Sequence, residues 1–336
     1  MKSVSVAVIA LLLAFAGPAA AETARGQMKG GISYTLPSWF KSSFLHFQDD
    51  VAEAREQGKH VLVFLHLDEC PYCARMLKES FESGDTRDFM ERHFDVIGVN
   101  IRGDAETVWI DGTTYTERAL TAHLKVFATP TVVLLDLDGN KLLQLDGYRD
   151  PRALRAALEY VQGKHYRNQT FAVWLGSRDK PAIYAFRDHP QFAPAADLKD
   201  YRKPLAILFE DRQCAECARF HDKTLNHPDV LTEMKRFRFV RLDADSQQPL
   251  VTPDGQTTTP AQWVKALGLT YRPAVALFDE GREVFRMDGQ LYHYHFKEML
   301  RYVSGGYYKQ YDHISKYNAA RRDELLQKGI DIDYAE

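Results

Sequence analysis

The chain has 336 residues, with 43 Lys+Arg against 46 Asp+Glu for a formal net charge of −3, and is 45% hydrophobic and 26% charged. This balance excludes a chain disordered over its length and gives no basic footprint for nucleic acid. At roughly 100–200 residues per domain, the length implies two domains, each able to bury its own core.

The amino end reads as an export signal. Lys2 gives a positive start, Val6 to Phe15 form an apolar run of ten residues, and Gly17-Pro18 break it. Ala19-Ala20-Ala21 then offer a small-residue cleavage site before Glu22. Such a run is too short to cross about 30 Å of hydrocarbon, and no later segment approaches the ~18 apolar residues a span needs. The expectation is removal of the signal peptide 1–21, no membrane span afterwards, and an oxidising compartment, best matched by the bacterial periplasm. An N-terminal extension, 22–39, follows.

Phe44 to Gln57 is Ala/Glu-rich with helical spacing, closed by Gly58 just past its end. His60 to Leu67 is a β-rich run leading into Cys70-Pro71-Tyr72-Cys73. Ala74 to Phe81 carries helix formers, and Pro71 just inside the start supplies the preset φ favoured there. Phe94 to Ile101 reads as a strand, Thr107 to Thr116 as a hairpin about Asp111-Gly112, and Glu117 to Leu124 as a helix. Thr131 to Leu137 and Lys141 to Leu145 flank Asp138-Gly139-Asn140 as an antiparallel pair, and Pro151 to Val161 is a closing helix. The fold class is therefore α/β: a mixed sheet with helices on both faces.

The pattern then returns. The cysteines are Cys70, Cys73, Cys214 and Cys217, two C-x-x-C pairs offset by 144. The stretch from Thr129-Pro130 to Asp136 resembles that from Arg272-Pro273 to Asp279 at an offset of 143. Asp146-Gly147 recurs as Asp288-Gly289 and Tyr160-Val161 as Tyr302-Val303, both at 142. A register that drifts so little marks a duplicated domain. The expected copies span 40–163 and 196–304, joined by a linker, 164–195, that Pro181, Pro190 and Pro194 interrupt. A C-terminal helical tail, 305–336, follows, with Tyr307, Tyr308, Tyr311 and Ile314 as its packing face. The pairs lie 141 residues apart, unlike the ~15–20 of a zinc ribbon, so neither metal nor cofactor is expected. Inert local disulfides remain an alternative for both pairs.

C-x-x-C between a first strand and its helix, with a proline opening a later strand, resembles the thioredoxin family in both copies. The resemblance implies that Pro130 and Pro273 are cis and face the cysteines, and that Gly147 and Gly289 end the antiparallel strand pair. Two departures argue against a general thioredoxin role. The buried acid six residues before the first cysteine is here Phe64 and Leu208, and the tryptophan just before it is Glu69 and Gln213. Pro37-Ser38-Trp39-Phe40-Lys41, the following helix, Cys-Pro-Tyr-Cys and Thr-Pro give a narrower resemblance, to exported thioredoxin-like proteins of bacterial sulfur oxidation (SoxW-like).

Disulfide exchange needs a thiolate, and a free cysteine with pKa ~8.5 is little ionised at neutral pH. Unpaired N–H groups and the dipole at a helix start favour the anion. Cys70 and Cys214, exposed at such starts, are the expected nucleophiles, and Cys73 and Cys217, one turn on, the residues that release the mixed disulfide. Pro71, Tyr72, Thr129, Pro130, Arg272 and Pro273 are the candidate substrate-binding residues, the prolines holding substrate backbone like an added strand. Glu216 competes with a thiolate at the second pair, and Glu210 and Asp211 add negative charge. Cys70 is therefore expected to have the lower pKa and its pair the more oxidising potential. His66 is either a proton relay or a packed strand residue. The function expected is a periplasmic thiol–disulfide oxidoreductase acting on protein or sulfur-carrier substrates. The resemblance implies that it works as a reductase, recharged by a membrane electron donor of the DsbD/CcdA kind. The alternatives are an oxidase or isomerase of folding proteins and a non-catalytic peptide-binding or chaperone module.

Overall fold

A computed structural model of the chain describes residues 24–82, 84–178, 181–195, 198–199 and 203–335. The expected signal peptide lies outside them. β1 (Met28–Lys29) opens the described chain, and the first copy begins with α1 (Phe47–Glu56), which buries Phe47, Val51 and Ala54 on one stripe. This helix starts later than its composition suggested because Leu45 takes a positive φ of 61° and gives its N–H to Ser43 Oγ. β2 (His60–His66) is buried throughout, as suits a strand covered on both faces. α2 (Pro71–Met76) has its proline in the first helical turn and runs into a single π-helical turn, Leu77–Phe81. α3 (Gly84–His93), β3 (Phe94–Asn100) and the hairpin of β4 (Glu106–Val108) and β5 (Thr114–Thr116) follow. α4 (Glu117–His123) is capped by Thr116. β6 (Thr131–Leu135) ends two residues early because Asp136 Oδ1 accepts the N–H groups of Asp138 and Asn140, turning the chain into β7 (Lys141–Asp146). α5 (Pro151–Gln162) closes the copy, capped by Asp150.

The sheet order is β3-β2-β6-β7, with β2 and β3 parallel and the other pairs antiparallel. Leu62 and Phe64 of β2 face the core under α2, α3 and α5, while Val61, Val63 and Leu65 face that under α1 and α4. That alternation is the pleat of one central strand serving two cores. The extension before α1 docks on this sheet at Gly98, where any Cβ would come within 2.4 Å of Leu36 Cδ1.

The connecting segment is more ordered than its prolines implied. It holds a 3-10 turn, His165–Arg167, and α6 (Phe171–Gly176), whose Phe171 and Trp174 pack on Tyr160. From Pro181 to Ala195 it runs without helix or strand, and Ala193 donates to the Phe239 carbonyl of the second sheet.

The second copy repeats the first with β8 (Leu205–Glu210), α7 (Cys217–Arg219), a π-helical turn at Phe220–Leu225, α8 (Pro228–Met234) and β9 (Arg238–Asp243). β10 (Leu250–Val251), β11 (Thr257–Thr258), α9 (Pro260–Ala266), β12 (Ala274–Asp279), β13 (Arg282–Met287) and α10 (His293–Ser304) complete it, in the order β13-β12-β8-β9. The aromatic run beyond is not a helix face. Tyr307–Lys309 form a 3-10 turn, and α11 (Ile314–Gln327) starts only after His313 caps it. Tyr307 and Tyr311 nevertheless pack on Tyr317, at 5.0 and 5.8 Å between ring centres. β14 (Ile332–Asp333) then pairs in parallel with β1. No helix among the described residues is long and apolar enough to cross a membrane.

Candidate active site

Cys70 is the N-cap of α2. Its Sγ accepts the N–H of Cys73 at 3.1 Å, and the pair forms a disulfide with Cα atoms 5.2 Å apart. Pro71 suits the first turn because its missing N–H would have no partner there. The Thr129–Pro130 bond is cis, and Thr129 brings its Oγ1 to 3.5 Å and its carbonyl oxygen to 3.8 Å from Cys70 Sγ. Gly147 donates to the Pro130 carbonyl at 2.8 Å, tying the end of β7 to that loop. His66 continues the Leu62 and Phe64 face of β2 but bonds Tyr34 Oη at 2.9 Å, and burial lowers its pKa. Its hydrogen bond is thus to the N-terminal extension rather than to the cysteines.

The second pair is built differently. Cys214 and Cys217 form a disulfide with Cα atoms 5.5 Å apart, and Arg272–Pro273 is cis. The helix does not begin at Cys214, as expected, but at Cys217 with Glu216 as N-cap. A turn at Asp211, whose carbonyl accepts the Cys214 N–H and whose Oδ1 accepts that of Gln213, holds the chain before the helix. Ala215 also stands where the first copy has a proline. Arg272 is nearly buried, with Nη1 donating to the Tyr271 carbonyl at 2.7 Å and Nε 3.5 Å from Asp211 Oδ2. Burial lowers its pKa, opposed by Asp211, Asp288 and Asp245.

Glu210 occupies the place of His66 and is wholly buried, bonded to His221 Nε2 at 2.9 Å and to Tyr184 Oη at 3.2 Å. Tyr184 comes from the connecting segment. Its N–H and that of Ile183 bond the Arg212 carbonyl at 3.0 and 2.8 Å, and its ring packs with Cys214 and Cys217. Burial, then Glu210, raise the pKa of its hydroxyl.

The cysteines are not exposed as expected: Cys70 and Cys214 are each 5% accessible as whole residues, and Cys73 and Cys217 are at 0%. Tyr184 of the connecting segment packs on the second pair, the N-terminal extension runs beside the loop into Cys70, and around the first pair the copies dock on each other. The Tyr72 ring stacks on Tyr292 at 4.1 Å, and its hydroxyl accepts the Tyr292 N–H at 2.7 Å and meets His295 Nδ1 at 3.2 Å. Arg75, one residue past Ala74 on α2, holds Glu216 bidentately at 2.8 and 2.9 Å. Phe127, two residues before Thr129, packs edge-on to Phe285 at 5.8 Å. On the other side Arg149 pairs with Asp288 at 3.0 Å, and Tyr271 Oη accepts the Asp150 N–H at 3.3 Å. Sequence reasoning missed Arg75, Tyr184, Tyr292 and His295, whose partners are far away along the chain. Glu210 carried a signal, being an acid on the inward face of an apolar strand.

The model of the thioredoxin-like domain family matches residues 47–162 and 195–304. No curated protein sequence matches the chain significantly. Among solved structures, a thioredoxin-fold protein from Helicobacter pylori is 24% identical, covering 39% of this chain and 88% of that one, with a TM-score of 0.32. A thioredoxin from Thermus thermophilus is 24% identical over 34% of this chain and 83% of that one, with a TM-score of 0.28. The C-terminal domain of DsbD from Neisseria meningitidis, in the reduced form, is 19% identical over 33% of this chain and 89% of that one, with a TM-score of 0.26.

Proposed function

The chain belongs to the thioredoxin-like domain family, in two tandem copies, and from that premise we propose that it is a thiol–disulfide oxidoreductase. The observation that carries the reading is Cys70 capping α2, with the Cys73 N–H on its sulfur and Thr129 and cis-Pro130 beside it. In the reduced pair the same N–H and the helix dipole favour a thiolate. That thiolate attacks a substrate disulfide, the mixed disulfide forms, and Cys73 attacks it to release reduced substrate. Cys214 and Cys217 act in the same order in the second copy. Pro71, Tyr72, Thr129 and Pro130 contact substrate at the first pair, and Arg272 and Pro273 at the second. Tyr72 is engaged by Tyr292, so substrate reaches Cys70 once the second copy has moved aside.

The finer reading is that the protein is exported to the periplasm, as the Lys2–Ala21 pattern supports, and reduces protein or sulfur-carrier disulfides with electrons from a membrane donor. A second reading, donation of disulfides to folding proteins, is favoured by the helix cap on Cys70, since a stabilised thiolate makes a pair more oxidising. Insulin reduction by the wild type is compared with that by Cys70→Ser and Cys214→Ser. Loss of activity in either variant supports the oxidoreductase, and three equal rates sink it. Equilibration with a glutathione redox buffer then separates reductase from oxidase.

A further inference from the structure

Between the copies lies a cleft of about 650 Å³ with Cys214 in its wall. That is the size of a site for one small molecule and too small for a folded partner. Six cationic side chains line it: Arg149, Arg152, Arg155 and Arg178 before the second copy, Lys265 and Arg272 within it. Asp150, Asp211 and Asp245 are the acids in the same walls.

Part of the positive charge is met internally. Arg149 pairs with Asp288 at 3.0 Å, and Arg155 and Arg178 share Glu159 at 2.8 and 2.6 Å. Three cations remain less satisfied. The Arg152 side chain is 54% exposed and lies 3.8 Å from an Asp150 oxygen that already caps α5. Lys265 stands exposed opposite Gly176 at the rim. Arg272 is the most telling: only 10% of its side chain is exposed, Asp211 is 3.5 Å away, and its Nε has no hydrogen-bond acceptor. A desolvated guanidinium with an open donor gains most from a charged acceptor, and this one lines the same cleft as Cys214.

We propose that the cleft binds small thiols and disulfides bearing carboxylate or sulfonate groups and presents them to Cys214, with Arg272 inside and Arg152 and Lys265 at the rim. The proposal rests on the reading of the second pair as reactive. The ligand thiolate attacks Cys214 Sγ; the new S–S bond forms as the Cys214–Cys217 bond breaks, and Cys217 leaves as a thiolate that takes a proton from water. A second ligand thiolate attacks the ligand sulfur of the mixed disulfide, giving the ligand disulfide and a Cys214 thiolate. Two electrons pass from two thiols to the protein pair, and the reverse sequence reduces an anionic disulfide.

The test uses the oxidised full chain mixed with mercaptoethanesulfonate, mercaptoethanol or cysteamine, which are anionic, neutral and cationic. Alkylation and peptide mapping report the second pair separately from the first. Each rate is divided by that thiol's rate with a neutral small disulfide, which removes its intrinsic nucleophilicity. The expected order is anionic, neutral, cationic, with about tenfold between the extremes at low salt and less in about 0.5 M salt. Arg152→Glu and Lys265→Glu, at exposed positions that leave folding aside, should abolish the preference. Equal or inverted normalised rates, or a preference that survives both charge reversals, overturn the anion site and leave the redox reading standing. A second pair that no thiol reduces overturns both.

Discussion

Cys70 and Cys214 hold equivalent places in the repeat, yet their sulfurs meet different surroundings. Cys70 receives a helix N–H at 3.1 Å, whereas the helix after Cys214 opens only at Cys217. The Cys70 thiol should therefore have the lower pKa. Thiolate absorbance against pH, read on variants that keep one pair each, checks the order; equal values or the reverse refute it. Glu216 matters less to this difference than its carboxylate suggests, because Arg75 neutralises it. The side chains of Arg75 and Glu216 are 13% and 8% exposed. Burial is the largest influence on Arg75 and opposes its charge, but the Glu216 hydrogen bonds and charge, with Tyr148 and Glu79, together outweigh it and raise the guanidinium pKa. Arg75→Ala strands a buried carboxylate and should cost about 3 kcal/mol in urea unfolding. Adding Glu216→Ala should restore much of that, since the stranded charge is then gone. A single variant as stable as wild type contradicts the pairing.

At the scale of elements, α5 gives the cleanest local test. Asp150 Oδ1 accepts from Arg152 and Ala153 at 2.9 and 3.3 Å, so Asp150→Ala should lose about 1 kcal/mol, measured by the shift in denaturation midpoint. This helix was legible because a cap, a first-turn proline and an apolar stripe agree over Asp150 to Val161. α3 was not, since it buries only Thr86 and Met90 and offers no stripe to read. The aromatic run at Tyr307 to Tyr311 misled for the opposite reason: its spacing fits a helix, but Gly306 at a φ of 69° starts a 3-10 turn instead. The cysteine pairs and their prolines were visible because their spacing repeats. What covers the sulfurs was not, because Tyr72–Tyr292 and Arg75–Glu216 join residues 220 and 141 apart in sequence. No local pattern encodes such contacts.

Over the whole molecule, the docking of the copies should respond to pH through His295, which lies between the rings of Tyr72 and Tyr334. Burial, and then nearby His293, push its pKa down to about 4. Released from the interface it returns toward the ordinary ~6.5, so between these values the separated form binds more protons. Docking is therefore fully favourable above about pH 6.5 and weakens as pH falls toward 4. The radius of gyration from small-angle scattering should grow between pH 7 and about pH 5, and less so in His295→Gln. A radius unchanged over that range in the wild type would exclude the effect.

The pairing of β1 with β14 has a consequence for biosynthesis. The extension behind β1 runs beside the loop into Cys70, with Ile32 donating to the Glu69 carbonyl at 3.2 Å. Its anchor joins Gln27 to Asp331, 304 residues later. A ribosome makes the first cysteine pair long before it makes the strand that fastens this cover. The incomplete chain thus presents to chaperones a first pair whose covering extension is not yet fastened.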